Sequence, residues 1–194
     1  MRVFSHYVVE TLSNTYVVGL TNGDAILIDP SVFDAELLEL IEDYEYTVAA
    51  VLLTHNDEEH LAGLRVLSRV YGPVQVCSAV PRVAGLATRL VTAGDEIDFS
   101  GKTVSTFGMP GQGRDRLAYY MGGFLFCGPA FSAGEVGTVS NPYAKAVLFT
   151  NIAESVFTLP DETVILPFYG PPTTVGVERH SFPMEDPLEL AGLS

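Results

Sequence analysis

Residues 48–53 are the feature that most constrains the fold of this chain. All six are apolar, as expected of a strand covered on both faces. Polar residues 54–60 follow directly, and residues 61–70 then place leucines at helical spacing. A buried strand, a polar loop and a helix in this order predict a layered α/β fold, with the loop at the carboxyl end of the strand, where such folds bind ligands.

Short β-branched or aromatic runs separated by turn residues occur on both sides of this segment, and they predict further strands. The predicted strands are 7–9, 15–18, 25–28, 74–77, 89–91, 96–99, 103–107, 117–120, 124–127 and 163–166. Apolar periodicity predicts helices at 34–44, 61–70, 143–157 and 173–179. Because no linker or low-complexity tract interrupts the pattern, residues 1–194 are expected to form a single α/β domain, with sheets inside and helices outside.

The charge balance excludes several classes of partner. The chain has 24 acidic and 10 basic residues and a formal net charge of −14, so it repels nucleic acid and anionic membrane surfaces. No apolar run is long enough for a signal sequence or a membrane span, and a cytoplasmic location is expected. Cys77 and Cys127 lie in apolar, strand-like runs, which predicts buried thiols rather than a disulfide.

The loop after the buried strand is the densest group of metal-binding residue types in the sequence. It contains His55, Asp57, Glu59 and His60, whose side chains are all ligands for zinc or iron. A helix start explains the acids equally well, since Asn56 as N-cap and Glu59 three residues later would form a capping box. Composition alone leaves metal binding and capping both open.

This loop resembles the metal-binding loop of the metallo-β-lactamase superfamily, Thr-His-x-His-x-Asp-His. Residues 52–55 and 60–63, Leu-Leu-Thr-His and His-Leu-Ala-Gly, match its two ends. Residues 14–18, 28–30 and 124–128 match further blocks in order, and residues 164–178 resemble the Leu-Pro-Gly-His-Gly-Pro-x-Thr-Thr end of glyoxalase II-like hydrolases. The resemblance implies a four-layer αββα sandwich over nearly the whole chain, with any site at one edge between the two sheets.

The resemblance also implies where two metals and their seven protein ligands would lie, and the sequence departs from that set. Only His55 and His60 are retained. Asp57 replaces a histidine and Glu59 replaces an aspartate, although both can still bind a metal. Three distant ligands are replaced by weak or absent donors. Gln112 stands at the position of a histidine, or Met109 does if the local alignment slips. Pro129 replaces the bridging aspartate, and Tyr169 replaces the last histidine.

These departures give two functional hypotheses. With two side-chain ligands left per metal, the two-metal hydrolysis of the family is expected to be lost, which leaves a non-catalytic protein that binds a small molecule or a partner. The alternative is a hydrolase of thioesters, lactones or esters that uses one zinc, iron or manganese ion held by His55, His60 and one or both of the carboxylates. No Ser/His or Cys/His arrangement supports metal-free catalysis.

Other residues have more ordinary interpretations. Asp29 lies in a family motif near the site, and a turn or capping role is favoured over ligand orientation. His180 is expected to face solvent at a helix end, and His6 lies on an early strand. Phe168 and Tyr169 are a hypothesis for an apolar lining, with Gln112 and Pro129, of a pocket at the former ligand positions. The sequence leaves the ligand and the oligomeric state open.

Overall fold

The structure is a computed structural model that describes residues 1–57 and 62–181. The chain divides into two compact units. The first contains Met1–Val91 and Asp98–Lys102, and the second contains Thr92–Ile97 and the described residues from Thr103 onward. Each unit is described by itself below.

The first unit is a six-stranded sheet with two helices and one small hairpin. Its strands are β1 Arg2–Val8, β2 Ser13–Gly19, β3 Asp24–Ile28, β4 Thr47–Leu52, β5 Gln75–Ser78, β6 Arg82–Val83, β7 Leu86–Ala87 and β8 Arg89–Leu90. Its helices are α1 Ala35–Asp43 and α2 Ala62–Tyr71. The sheet order is β1-β2-β3-β4-β5-β8, and β6 pairs with β7.

The pairing directions of this sheet decide where its loops lie. Strands β1, β2 and β3 form an antiparallel meander, whereas β3, β4, β5 and β8 run parallel. Since Ile28 pairs with Leu52, the segments that leave β3 and β4 start side by side at one edge of the sheet. Parallel strands place their carboxyl ends together, and this edge therefore collects the polar loops.

Helices α1 and α2 supply apolar faces to the core of the first unit. Asp34 caps α1 by accepting a hydrogen bond of 2.9 Å from the backbone N–H of Leu37, which is a standard N-cap contact. Leu37 and Ile41 of α1 and Leu64 and Leu67 of α2 are fully buried, one helical turn apart in each case. They pack in one cluster with the apolar residues of β2 to β5.

The second unit carries the other large sheet, except for Asp98–Lys102, which are grouped with the first unit. Its strands are β9 Glu96–Phe99, β10 Lys102–Gly108, β11 Leu117–Met121, β12 Phe124–Gly128, β13 Phe131–Ser132, β14 Glu135–Val136, β15 Val164–Pro167 and β16 Thr173–Thr174. Its helices are α3 Pro142–Ser155, which continues as a 3-10 turn at Val156–Thr158, and α4 Val175–Ser181. The sheet order is β16-β15-β12-β11-β10-β9.

One parallel pair in this sheet fixes a second set of loops. Strands β12 and β15 run parallel, with Gly128 opposite Pro167, while the neighbouring pairs are antiparallel. Helix α3 starts at an Asn141 cap whose side chain accepts from the N–H of Ala144, with Pro142 in the first helical turn. Leu148 and Ile152 of this helix belong to the unit's apolar core.

Most predicted elements are present within one or two residues, and the differences have local reasons. β1 starts at Arg2 rather than residue 7, because all seven of its residues pair with β2. The predicted helix 173–179 is wrong in its first two residues, since Thr173 and Thr174 pair with β15 before α4 begins. The two-residue strands of the small hairpins are too short to leave a periodic signal in the sequence.

Three further expectations concern the chain as a whole. Cys77 and Cys127 are buried free thiols, as predicted. Within residues 1–57 and 62–181, no helix combines the length and apolar character needed to cross a bilayer. The division into two units leaves the single domain over 1–194 as a prediction.

Candidate functional site

Two parallel strands of the first unit bring the first group of site residues together. Asp29 follows β3, and Thr54 and His55 follow β4 after one further buried residue. The main chain links the two ends, because the N–H of Asp29 donates a 3.1 Å hydrogen bond to the carbonyl of Leu52. The side chains of these residues therefore meet at the carboxyl edge of the sheet.

Asp29 anchors the start of the histidine loop. Its carboxylate is 2% exposed and accepts two hydrogen bonds from Thr54, one from the backbone N–H at 2.8 Å and one from the hydroxyl at 2.6 Å. Its backbone has φ = +48°, a left-handed conformation that aspartate tolerates better than most residues. These contacts agree with the favoured structural role of Asp29, which holds the start of the loop that carries His55, and ligand orientation by Asp29 stays a prediction.

His55 is held in one tautomer by this network. The imidazole is 1% exposed, and its Nδ1 lies 2.8 Å from the Thr54 hydroxyl oxygen. Since that hydroxyl donates its only proton to Asp29, it must accept from His55, so Nδ1 carries the hydrogen. Nε2 then carries the lone pair, which is the arrangement that second-shell partners impose on metal-binding histidines. The distance of 3.9 Å between His55 Nδ1 and Asp29 Oδ1 is too long for a direct hydrogen bond.

Thr54 is the functional residue that the sequence analysis missed. Its hydroxyl bridges Asp29 and His55, and it is buried. The signal was available, because Asp29 and Thr54 follow two neighbouring predicted strands whose carboxyl ends share one sheet edge. Treating each motif separately hid the contact between them.

Buried hydroxyl groups and the close approach of helix α2 support the Asp29 loop. Thr15 of β2 donates to the carbonyl of Asp29 at 3.0 Å, and Ser31 lies 3.0 Å from Ser13. At Gly63 in the first turn of α2, an added Cβ would lie 2.6–2.8 Å from the backbone of residues 30–33. Only glycine permits this approach, so the small residue in the motif brings α2 against the Asp29 loop.

The rest of the predicted metal loop is described only in part. Asp57 is exposed, and its role as a metal ligand stays a prediction. Glu59 and His60 lie outside the described residues. The capping-box interpretation, which depends on Glu59 and on the helix start, therefore also stays a prediction.

Gln112 holds a structural position in the second unit. Its side-chain amide nitrogen donates to the carbonyl of Pro129 at 2.9 Å and to the carbonyl of Thr138 at 3.2 Å. Both amide hydrogens are thereby used. Its Oε1 is buried and has no hydrogen-bond partner among the described residues. Through its amide nitrogen, Gln112 acts as a cross-link between loops.

Pro129 and Tyr169 follow the parallel strands β12 and β15. The N–H of Phe168 donates to the carbonyl of Gly128 at 2.8 Å, so the two segments leave the sheet together. Pro129 has no side-chain donor or acceptor. The Tyr169 ring is 38% exposed and packs edge-on against Phe168, with 4.7 Å between ring centroids, while Phe168 is buried. Their contact supports packing, and the pocket hypothesis stays untested.

The remaining candidates are accounted for structurally. Met109 is fully buried in the apolar core of the second unit, which favours a packing role. His6 is buried on β1 with its Nε2 3.0 Å from the carboxylate of Asp34. His180 is exposed at the end of α4, as predicted, and its Nδ1 donates to the carbonyl of Gly176 at 2.7 Å.

Among the described residues, the donors at the distant positions do not fit a pair of metals. Among residues 1–57 and 62–181, no group of three or more His, Cys, Asp or Glu side chains is placed to hold an ion. Gln112 offers only a neutral amide, Pro129 offers no side-chain donor, and Tyr169 offers only a phenol. A two-metal centre needs an anionic bridge between its ions, and position 129 cannot supply it.

Comparison with known proteins places the fold and the family. Residues 8–167 match the family model of the metallo-beta-lactamase superfamily. The crystal structure of ETHE1 from Myxococcus xanthus superimposes with a TM-score of 0.86 at 23% identity, covering 100% of this chain and 89% of that one. The predicted α/β class and metallo-β-lactamase fold are thereby confirmed.

Curated relatives agree with this assignment. Hydroxyacylglutathione hydrolase of Klebsiella pneumoniae is 29% identical over 157 residues, which are 77% of this chain and 59% of that protein. The Yersinia enterocolitica protein of the same name is 31% identical over 145 residues, which are 72% and 55% of the two chains. The chain thus spans less than two thirds of the length of these relatives. Because the family model covers most of the sequence, the chain belongs to the metallo-β-lactamase superfamily.

Proposed function

We propose that this chain has lost the two-metal hydrolytic site of its superfamily and serves as a non-catalytic protein that binds a small molecule. The observation that carries the proposal is at Gln112, which offers no imidazole nitrogen at a histidine position and whose side-chain nitrogen donates to the carbonyls of Pro129 and Thr138. The residue at a metal-ligand position has become a structural cross-link. Pro129, at the position of the bridging aspartate, cannot compensate.

The binding part of the proposal rests on the first unit. Asp29, Thr54 and His55 keep a buried, hydrogen-bonded polar group at the carboxyl edge of parallel strands, where layered α/β folds bind ligands. A buried polar network is costly unless it is fully satisfied. We infer that its retention serves a ligand site as well as stability. The net negative charge disfavours nucleic acid and anionic membranes as partners, and the proposed location is the cytoplasm.

Metal content tests the proposal directly. Protein purified from medium that supplies zinc, iron and manganese should contain well below one metal ion per chain, and added metal should leave its Tm unchanged, because only a ligand that prefers the folded state raises stability. Two ions per chain, or a thioester hydrolysis that a chelator abolishes, would contradict the proposal.

A variant that restores the three missing ligand residues tests whether their replacement explains the low metal content. The triple substitution Gln112→His, Pro129→Asp and Tyr169→His restores the residue types that the resemblance places at these positions. It should raise metal content to about one ion per chain or more, while the wild type stays low. If the triple variant stays as metal-poor as the wild type, the loss does not arise from these three positions and the observation that carries the proposal fails.

The second candidate is a hydrolase with one metal, and the names of the curated relatives favour it. His55 is already held in the tautomer that leaves Nε2 for a cation, and Asp57 lies two residues further along the loop. Glu59 and His60 would complete the set. A bound cation there would polarise the carbonyl of a thioester, lactone or ester.

The two candidates differ in measurable ways. For the hydrolase, a chelator should abolish turnover, and His55→Ala should remove both metal and activity. Gln112→Ala, in contrast, should leave kcat/KM within about twofold, because Gln112 is not among the proposed ligands of the single metal. A thioester screen that stays silent with each of the three metals would eliminate this candidate.

A further inference from the structure

The outer edge of the first sheet has three properties that favour pairing with a strand of another molecule. They are separate from the polar group at the strand ends. β1 is the edge strand, and among the described residues it pairs on one side only, with β2. All seven residues of β1 are in register with β2, without a bulge. Such a strand presents a straight row of backbone N–H and C=O groups about 24 Å long to a second strand.

This edge lacks most of the usual protection against pairing. Soluble proteins protect edge strands with lysine, proline, bulges or inward-pointing charges. β1 contains no lysine, no proline and no bulge, and His6 is its one ionisable side chain that points inward, to Asp34. Ser5, in the middle of the strand, is exposed to solvent.

The strand is also free of acidic residues in a strongly acidic chain. Arg2–Val8 contains no aspartate or glutamate, whereas the whole chain carries a net charge of −14. Two copies of this chain repel each other over most orientations. An approach through the β1 edges brings together segments without acids, which lowers that repulsion.

The two ends of the strand have complementary chemistry. At one end, Arg2 lies 5.7 Å from the ring centre of Tyr44, and Tyr44 packs against Phe4 at 4.6 Å. At the other end, Tyr7 and Val9 are 52% and 69% exposed. Tyrosine and arginine are the residue types most enriched at the energetic centres of interfaces.

We propose that two copies of this chain form a dimer by antiparallel pairing of their β1 strands. A two-fold axis at Ser5 would place Arg2 opposite Val8 of the second copy, Val3 opposite Tyr7, and Phe4 opposite His6. Val3 of each copy thus meets the exposed Tyr7 of the other, and the same contacts repeat on both sides of the axis, as an isologous interface requires. No acid faces an acid along the paired strands.

Sedimentation equilibrium of the full chain over a concentration series at 0.15 M salt tests the dimer. The expected dissociation constant is on the order of 10 µM, because two short edges make a small interface. Lower salt should weaken the dimer, since charge repulsion between the two copies is then less screened. A wild-type chain that stays monomeric at concentrations about tenfold above that value overturns the proposal, as do open-ended oligomers.

Two lysine substitutions locate the interface. Ser5→Lys places a charge on the centre of the edge and should raise the dissociation constant at least about tenfold. Val177→Lys makes the same change of charge at an exposed position of α4 and should leave it within about twofold. A dimer that survives Ser5→Lys, or that is lost equally in both variants, contradicts pairing through β1.

Amide hydrogen exchange gives an independent readout on the unchanged protein. In a β1-paired dimer, the amides of Arg2–Val8 that point away from β2 should exchange more slowly as the protein concentration rises. The exchange of α4 should not depend on concentration. Concentration-independent exchange in β1, in a sample that sedimentation shows to be dimeric, would place the interface elsewhere and overturn the proposal.

Discussion

The strand ends of the two units use polar side chains in contrasting ways. In the first unit, Asp29 and Thr54 orient His55 through short buried hydrogen bonds and leave its Nε2 lone pair defined. In the second unit, Gln112 bonds to two backbone carbonyls, and Pro129 contributes only its own carbonyl to that contact. One set of residues positions a side chain for an outside group, whereas the other satisfies the protein's own backbone.

This difference agrees with the proposal that the family site has been lost in the second unit. The glutamine at position 112 finds carbonyl partners for its side-chain nitrogen within the same loops. Under that proposal, the second unit keeps its fold without a metal at these positions. The first unit keeps its polar network, since removing any member would leave a buried donor without a partner.

The largest expected effect comes from breaking the network of the first unit. Asp29→Ala removes both acceptors of Thr54 and places alanine in a left-handed conformation, so it should lower the free energy of unfolding by about 3–4 kcal/mol. Chemical denaturation with urea measures this change. Asp29→Asn, which tolerates the conformation and keeps one acceptor, should cost about half as much.

A control for this substitution is an acid of the same unit outside the network. Asp43→Ala, at the exposed end of α1, should change stability by less than about 0.5 kcal/mol. If Asp29→Ala costs no more than this control, Asp29 does not hold the loop, and the contrast between the two units disappears.

The next largest expected effect is on the pH dependence of stability, and it comes from Cys77 on the strand beside the histidine loop. Cys77 pairs with Leu52, and burial raises the pKa of its thiol to about 11, with the Arg89 charge opposing the rise. The folded state thus keeps a proton that the unfolded chain releases from about pH 8.5 upward. The stability this thiol contributes is fully present below about pH 8.5 and is lost as the pH rises through about 11.

The variant Cys77→Val isolates this contribution from the other groups that titrate at high pH. Between pH 8.5 and 10.5, the free energy of unfolding of the wild type should fall relative to the variant by up to about 1.4 kcal/mol per pH unit. Urea midpoints at four pH values give the difference. Parallel curves for the two proteins would show that the thiol titrates normally and that this strand is less protected than the structure indicates.

The smallest expected effect comes from the cross-link of the second unit. Gln112→Ala removes two neutral hydrogen bonds from partly buried carbonyls, and it should cost about 1–2 kcal/mol without changing metal content. The neighbouring substitution Arg114→Ala, in the exposed part of the same loop, should stay within about 0.5 kcal/mol. Loss of bound metal in Gln112→Ala would instead identify this residue as a ligand and make the two units alike.

The secondary structure was largely predictable because its signals are local. The apolar run at 48–53 and the leucines of α1 and α2 follow directly from strand and helix periodicity. The helix caps Asp34 and Asn141 act over three residues. The two-residue strands and the exact start of α4 were missed, since their pairing partners lie elsewhere in the chain.

The candidate site was predictable in its residue types and not in its contacts. The sequence identified His55, Asp29, Gln112, Pro129 and Tyr169 as the positions to examine. It did not show that Thr54 joins Asp29 to His55 across 25 positions, or that Gln112 reaches the carbonyl of Pro129 across 17. Such contacts depend on which strand ends share a sheet edge, and a linear pattern contains that information only indirectly.

The sequence by itself determined the family, the alternation of buried and exposed residues, and the absence of a histidine or aspartate at positions 112, 129 and 169. Only the tertiary structure decided what the replacing side chains do, because hydrogen bonds between loops form at distances set by strand pairing. It likewise decided that Asp29 is a buried anchor and that β1 lies at an edge. Residue chemistry is local, whereas the satisfaction of a buried donor or acceptor is a property of the folded chain.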